Sequence, residues 1–230
     1  MVTKKKEIIK KEEKSDKAEK KTEVKKEELG KEKEVELKWI FGIMIGLIVL
    51  LLGIYFIMSE QNKIEYKGLA FAKERFGEIP VYRYSYFFND DEGQLIKYNL
   101  FLRNDPRTNN VSIVGEIALG ENIYISINST GLNDCKESSI AVASLAAFII
   151  NNQLTLVAGT PNLEESKANN VSHITCDTHP NSPVISIQAG DETKIIRENN
   201  CYKINVANCD INPAIEKFEV QTILDAKKRQ

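Results

Sequence analysis

The pattern of hydrophobic and polar positions divides the chain into three parts. Residues 1–38 are mostly lysine and glutamate, with scattered apolar residues that follow no heptad. Residues 39–58 (WIFGIMIGLIVLLLGIYFIM) carry no charge. Short alternating and amphipathic segments then continue to the end of the chain. This order predicts a tail, a membrane span, and one folded domain large enough to bury its own core.

Residues 39–58 are predicted to form a transmembrane helix. Twenty residues rise about 30 Å in a helix, which matches the hydrocarbon core of a bilayer. Trp39 and Tyr55 lie near its two ends, where aromatic residues are common. A cleavable signal peptide fits poorly, because 38 residues precede the run and no small-residue cleavage motif follows it. Gly42 and Gly46 form a GxxxG motif, which either supports a homodimer of spans or simply faces lipid.

The tail, residues 1–38, is predicted to be disordered. It contains 14 lysines and 11 acidic residues, and dense charge with few apolar groups cannot offset the entropy of ordering. Two interpretations are open: a solubilising tail, or an electrostatic arm for anionic lipid or a partner. The near cancellation of the charges favours the first.

The charges beside the span predict its orientation. Seven lysines lie in the 20 residues before the span, and three lysines and one arginine in the 20 after it. This bias places the tail in the cytoplasm and the C-terminal domain outside the cell membrane. All four cysteines lie beyond the span, as do three glycosylation sequons, at Asn110, Asn128 and Asn170.

The domain is predicted to be α+β, with a mostly antiparallel sheet and two or three helices. Residues 59–77 are predicted as a juxtamembrane helix, and residues 78–230 as the domain itself, either undivided or divided near residue 130. An aromatic hairpin over 79–88 and 94–103 gives the strongest strand signal. Further strands are predicted at 111–116, 121–128, 154–158, 173–176, 184–188, 194–197 and 202–206, and a short helix at 163–169.

Two longer helices are expected to pack in the core. One runs over 135–151, where Asp134 and Glu137 have the spacing of a capping box. Its apolar run is too short for a second membrane span. The other is predicted to be capped by Asn212, with Pro213 at its first position.

The four cysteines are predicted to form two disulfides. In an extended chain Cys201 and Cys209 would lie about 26 Å apart, far beyond the roughly 6 Å that a disulfide spans. Three connectivities are possible, and a chain reversal near residues 205–208 would be needed for Cys201–Cys209, so we disfavour that pair. Of the others we favour Cys176–Cys201 with Cys135–Cys209, and unpaired buried thiols are the alternative. The sequence has no C-x-x-C motif, which argues against a thiol-redox protein.

One cluster contains side chains that bind metals: His173, Cys176, Asp177 and His179. The H-x-x-C spacing can chelate zinc, but residues 173 and 176 of a strand point to opposite faces. We therefore favour a disulfide cysteine beside two surface histidines, and predict no metal and no other cofactor. The sequence also has no phosphate-binding loop and no G-x-S-x-G motif.

Asn104, Asp105 and Arg107 form a polar loop after the hairpin. In one interpretation Arg107 binds a carboxylate or phosphate of a ligand. In the other, which we favour, Arg107 pairs with Asp105 within a turn.

Several segments together carry a resemblance. They are the Lys/Glu tail, the single span, YNLFLRNDPR (98–107), the NDC that begins an apolar helix, and the series ITC, NNCYKINV and ANC near the C-terminus. This combination is similar to uncharacterised single-pass membrane proteins of small-genome archaea, over most of residues 60–225. The resemblance implies an outward-facing, membrane-anchored protein of an envelope without a bacterial periplasm. It implies no activity and no functional residue.

These features predict a non-enzymatic, membrane-anchored binding or structural module for protein contacts in the cell envelope. The net charge of −2 excludes a basic nucleic-acid-binding domain. Two alternatives remain open. One is a membrane-anchored envelope enzyme or thiol-redox protein, and the other is an assembly factor of a larger membrane complex.

Overall fold

The computed structural model describes residues 39–56, 62–90 and 92–229. The chain divides into two units, residues 1–61 and residues 62–230. In the first unit, helix α1 (Trp39–Phe56) has a mean hydropathy of 2.6 and is long and apolar enough to cross a membrane. The predicted disordered tail and the start of the predicted juxtamembrane helix lie outside the described residues.

The second unit is α+β, as predicted. Its described residues form eleven strands and three helices. The strands of the N-terminal half are β1 (Lys63–Tyr66), β2 (Leu69–Phe76), β3 (Ile79–Asn89), β4 (Leu95–Leu102), β5 (Ser112–Val114) and β6 (Asn122–Ile127). Those of the C-terminal half are β7 (Thr155–Thr160), β8 (Ser172–His173), β9 (Val184–Ala189), β10 (Lys194–Glu198) and β11 (Cys201–Val206). The helices are α2 (Ser138–Asn151), α3 (Leu163–Asn169) and α4 (Ile211–Lys228).

The first sheet, sheet A, is an antiparallel meander in the order β1-β2-β3-β4. The predicted aromatic hairpin, β3 and β4, is confirmed, and Tyr86 lies opposite Tyr98 in its register. Leu100 and Leu102 are buried on the same face, whereas Phe101 between them is exposed. This alternation places one face of sheet A against the core.

The prediction of a helix over residues 59–77 is wrong for residues 62–77, the part of this range that the structure describes. Strands β1 and β2 form a hairpin there, which turns at Lys67 and Gly68 with φ angles of 50° and 78°. The sequence AFAKER has good helix propensity, but Leu69 and Phe71 are fully buried with the period of a strand. Their packing in the core outweighs the weak local preference for helix.

The second sheet, sheet B, is mixed, in the order β5-β10-β11-β9-β6-β7-β8. Among its described strands, β10 and β11 pair antiparallel and the five other pairs are parallel. The mostly antiparallel prediction therefore holds for sheet A and is wrong for sheet B. Helix α2 connects the parallel neighbours β6 and β7, which is the long crossover that parallel pairing requires.

Helices α2 and α4 pack together between the two sheets. Phe148 of α2 contacts Tyr98 of sheet A, with ring centroids 6.1 Å apart. Phe218 of α4 contacts Tyr202 of sheet B at 5.8 Å. Because it has neighbours on both sides, α4 is buried on nearly every face, acidic residues included.

The two long helices begin at other residues than predicted. Helix α2 starts at Ser138, and Glu137 precedes it without a side-chain capping bond, so the predicted capping box is wrong. The segment before it folds into turns, in which the backbone N–H of Ser138 donates to Cys135. Helix α4 follows Asp210, so Asn212 lies inside its first turn and donates to Glu216 instead of capping the helix.

Candidate functional site

A groove of about 430 Å³ opens between sheet A and the C-terminal ends of α2 and α4. Its walls are mainly aromatic and aliphatic. The aromatic lining residues are Tyr84, Tyr86, Phe87, Phe88 and Phe148, and the polar ones are Asn152, Thr222, Lys227 and Arg229. Its volume lies in the range of pockets that hold a small ligand or one or two large side chains.

Strand geometry accounts for the aromatic wall. Residues two apart on a strand share a face, so Tyr84, Tyr86 and Phe88 form a row along β3. Successive ring centroids are 5.8 Å and 6.2 Å apart. Such contacts stabilise the wall beyond the burial of its area.

Asn152, just after α2, fixes the floor of the groove. The hydroxyl of Tyr86 donates to Asn152 Oδ1 at 2.5 Å, and Asn152 Nδ2 donates to the carbonyl of Phe148 at 2.7 Å. Burial raises the pKa of Tyr86, and the hydrogen bond to Asn152 opposes this only in part. Tyr86 is therefore a neutral donor that joins β3 to the end of α2.

The rim of the groove is cationic. Lys227 and Arg229 lie in and just after the last turn of α4. Arg229 Nη1 donates to the carbonyl of Ile117 at 3.0 Å, which holds the guanidinium in place. Within the described part of the chain, the Lys227 ammonium forms no hydrogen bond or ion pair. The groove thus combines an apolar interior with positive charge at its mouth.

A buried carboxyl, Glu219, lies one helical turn before the groove residues of α4. Its Oε1 accepts from Ser144 Oγ of α2 at 3.2 Å, whereas its Oε2 has no partner among the described residues. Burial raises the pKa of Glu219 to about 8, the negative charge of Glu216 adds to this, and the Ser144 hydrogen bond opposes it. Glu219 is therefore mostly protonated at neutral pH.

Glu216, one turn earlier, holds the end of β4. It accepts from the backbone N–H of Arg103 at 2.5 Å and from that of Asn104 at 3.1 Å. Asn104 Nδ2 adds a third bond at 2.9 Å. Burial raises the pKa of Glu216, and these hydrogen bonds oppose that rise. Glu216 thus acts as a structural acceptor inside the core.

The polar loop expected from the sequence forms a turn. Arg107 Nη2 lies 2.6 Å from Asp105 Oδ2, and the hydrogen bonds from Arg107 lower the pKa of Asp105. The side chain of Asn104 is not part of this turn contact and donates a hydrogen bond to Glu216. This is the interpretation that the sequence favours, and Arg107 does not line the neighbouring polar pocket of about 330 Å³.

Cys176, Asp177 and His179 line one pocket, but the described candidates do not form a metal-binding group. Cys176 is in a disulfide, and His173 Nε2 lies 3.1 Å from the carbonyl of Pro161. The ring of His179 lies 4.1 Å from that of Tyr124. Asp177 is exposed. Over residues 39–56, 62–90 and 92–229 no group of three or more metal-ligand side chains forms a site. Strand β8 ends at His173, so the strand predicted over 173–176 is shorter than expected.

All four cysteines are paired, and the pairs are those that the sequence favours. Cys135–Cys209 has a Cα–Cα distance of 5.3 Å and ties the turns before α2 to the turn before α4. Cys176–Cys201 has a Cα–Cα distance of 5.6 Å and ties the segment after β8 to the start of β11. Disulfides of this kind persist in oxidising compartments.

The three sequons differ in accessibility. Asn110 and Asn170 are exposed. Asn128 is half-buried, and its Oδ1 accepts from the backbone N–H of Thr130 at 3.1 Å. The side chains of Asn110 and Asn170 are therefore the more open to modification.

The groove itself is not apparent in the sequence. Its walls come from separate segments spread between Tyr84 and Arg229, and each of them has the pattern of an ordinary core element. The only local signal is the run of four aromatic residues among Tyr84–Phe88 at the end of the hairpin. Comparisons of the chain with family models, with curated proteins and with solved structures found no match.

Proposed function

We propose that the chain is a single-pass, membrane-anchored module for protein contacts, with its tail in the cytoplasm and residues 62–230 outside the cell. The length and apolarity of α1 support the anchor. The two disulfides support an extracytoplasmic location. The observation that carries the proposal is the aromatic groove with Lys227 and Arg229 at its rim.

The occupant of the groove is a segment of a partner protein in which a large apolar side chain is followed closely by an acidic residue. The apolar side chain enters between Tyr86 and Phe148, and the acid meets Lys227. Aromatic residues and arginine are enriched at protein interfaces, where buried aromatic contacts supply most of the binding energy. Opposite charge at the rim adds specificity and speeds association.

The composition of the groove favours binding over catalysis. Its described lining residues include no carboxylate and no histidine, the side chains that most often transfer protons in enzymes. Tyr86 is held as a neutral donor to Asn152. A surface of this kind holds a ligand without an acid–base pair to act on it.

Photo-crosslinking in the native membrane tests the proposal. A photoreactive phenylalanine analogue at Phe87, which is 59% exposed beside the groove, is expected to form an adduct with a polypeptide. Mass spectrometry should locate an Asp or Glu within about three residues of the crosslinked site. The Lys227→Glu substitution is expected to reduce the adduct at least about fivefold, because it places like charges together.

Two controls make the result specific. The same analogue at Leu163, which is 50% exposed on α3, should not give this adduct. Lys136→Glu, an exposed charge reversal outside the groove, should leave it unchanged. The proposal is wrong if both positions give the same product, if the adduct contains no peptide, or if Lys227→Glu has no effect.

A further inference from the structure

The edge strands of the two sheets differ in length. Among the described residues, three of the four edges are short: β1 has four residues, β5 three and β8 two. Strand β4 has eight residues, and among the strands that the structure describes it pairs only with β3. Short edge strands limit pairing with other chains. Strand β4 lacks this protection, so its free side is a template for another strand.

The sequence of β4 does not discourage such pairing. It contains no proline or glycine, and Lys97 is its only charged residue. Leu95 and Phe101, near its two ends, are 70% and 43% exposed. Proline, several charges or a bulge are the usual features that block an edge, and β4 is a regular eight-residue strand without them.

We propose that β4 pairs antiparallel with β4 of a second copy of this chain, about a two-fold axis through Tyr98. Opposite residues in an antiparallel pair share a face of the sheet. With the axis at Tyr98, Leu95 of each copy lies opposite Phe101 of the other, and Lys97 lies opposite Asn99. The two sheets A then form one continuous eight-stranded sheet.

The self-complementarity of the edge identifies the occupant as a second copy. Leu95 and Phe101 are on the same face and equally distant from Tyr98. A two-fold axis at Tyr98 therefore places Leu95 of each copy against Phe101 of the other, so that all four exposed side chains are covered. Isologous contacts of this kind are the commonest in homodimers. Anchoring by α1 also confines two copies to one membrane and raises their effective concentration. This partner is independent of the occupant proposed for the groove.

Charge substitutions on the full chain in detergent micelles test the pairing and its register. Leu95→Glu with Phe101→Glu places two pairs of like charges across the axis. We expect the dimer dissociation constant, from light scattering or sedimentation, to rise about tenfold or more. Leu95→Lys with Phe101→Glu places opposite charges at the same positions, and it is expected to restore the dimer to within about threefold of the parent.

The restoring variant is also the control for folding, because it loses the same apolar contacts, including that of Phe101 with Phe76. Ile140→Glu with Leu163→Glu, at side chains 51% and 50% exposed elsewhere, should leave the dimer unchanged. All variants are repeated with Gly42→Leu, so that association of the spans is measured separately. A monomeric parent, an unaffected Glu/Glu variant, or a Lys/Glu variant as weak as Glu/Glu would each overturn the proposal.

Discussion

Glu219→Gln is expected to make the domain more stable at alkaline pH and to flatten the dependence of its stability on pH. The pKa of Glu219 is raised to about 8 by burial in the core, beside Glu216 and with a single hydrogen bond from Ser144. An unfolded glutamate has a pKa near 4.3. The folded state therefore binds this proton more tightly than the unfolded state.

The sign of the effect follows from proton linkage. A carboxyl whose pKa is raised on folding contributes its full stability below the unfolded pKa, and that stability is lost as the pH rises through the folded value near 8. The loss approaches about 1.4 kcal/mol per pH unit within this window. Glutamine has nearly the same shape as glutamate and no charge, so the variant should lack this slope.

Urea unfolding of the full chain in detergent, between pH 5 and pH 9 and with disulfides intact, measures the effect. The free energy of unfolding of the parent should fall between pH 6 and pH 8, whereas that of Glu219→Gln should stay nearly level. Glu216→Gln is the matched control. Its carboxylate accepts three hydrogen bonds from Arg103 and Asn104, so this variant should lose stability at every pH. Parallel profiles for the parent and Glu219→Gln would show that Glu219 is ionised in the folded state.

Loss of the Cys135–Cys209 bridge is expected to have the second large effect. The bridge joins residues 74 apart in sequence, and closing a loop of that length stabilises a protein by about 4 kcal/mol in the chain-entropy model. Cys135→Ser with Cys209→Ser should therefore lower the free energy of unfolding by about 2–4 kcal/mol. The Cys176–Cys201 bridge spans 25 residues, so its removal should cost somewhat less.

Hydrogen exchange shows where the bridge acts. Cys135 precedes α2 and Cys209 precedes α4, the two helices that pack between the sheets. Without the bridge, the amides of the first turns of α4 should exchange faster than those of the β3–β4 hairpin. The variant Cys176→Ser with Cys201→Ser serves as the comparison. Faster exchange confined to the hairpin would contradict the role given to this bridge.

The elements predicted well from the sequence are those whose own pattern determines them. The β3–β4 hairpin alternates apolar and polar residues around a turn, and α3 has its bounds, Leu163–Asn169, set by local signals. The reach of the chain between Cys201 and Cys209 disfavoured one of the three disulfide connectivities, and the structure does not contain that pair. In each case the information lies within a short stretch of chain.

The features that the sequence missed depend on distant partners. Strands β1 and β2 were predicted as helix because AFAKER favours helix until Phe71 packs in the core. The parallel pairing in sheet B could not be predicted from the alternation of apolar and polar residues, because parallel and antiparallel strands both have a side-chain period of two. The sequence of α4 mixes charged and apolar residues and does not mark Glu219 as buried. Glu219 is buried because α4 packs between the two sheets. The groove forms where β3, the end of α2 and the end of α4 come together, so it cannot be predicted from any one of these segments.

Labelling of single cysteines with a membrane-impermeant maleimide tests most directly whether the domain is displayed outside the cell. The four native cysteines are in disulfides and should not react. Leu163→Cys, on the exposed side of α3, is expected to be labelled in intact cells. Ser15→Cys, in the tail, should react only after the membrane is permeabilised. Labelling of Ser15→Cys in intact cells, with Leu163→Cys protected, would contradict this orientation.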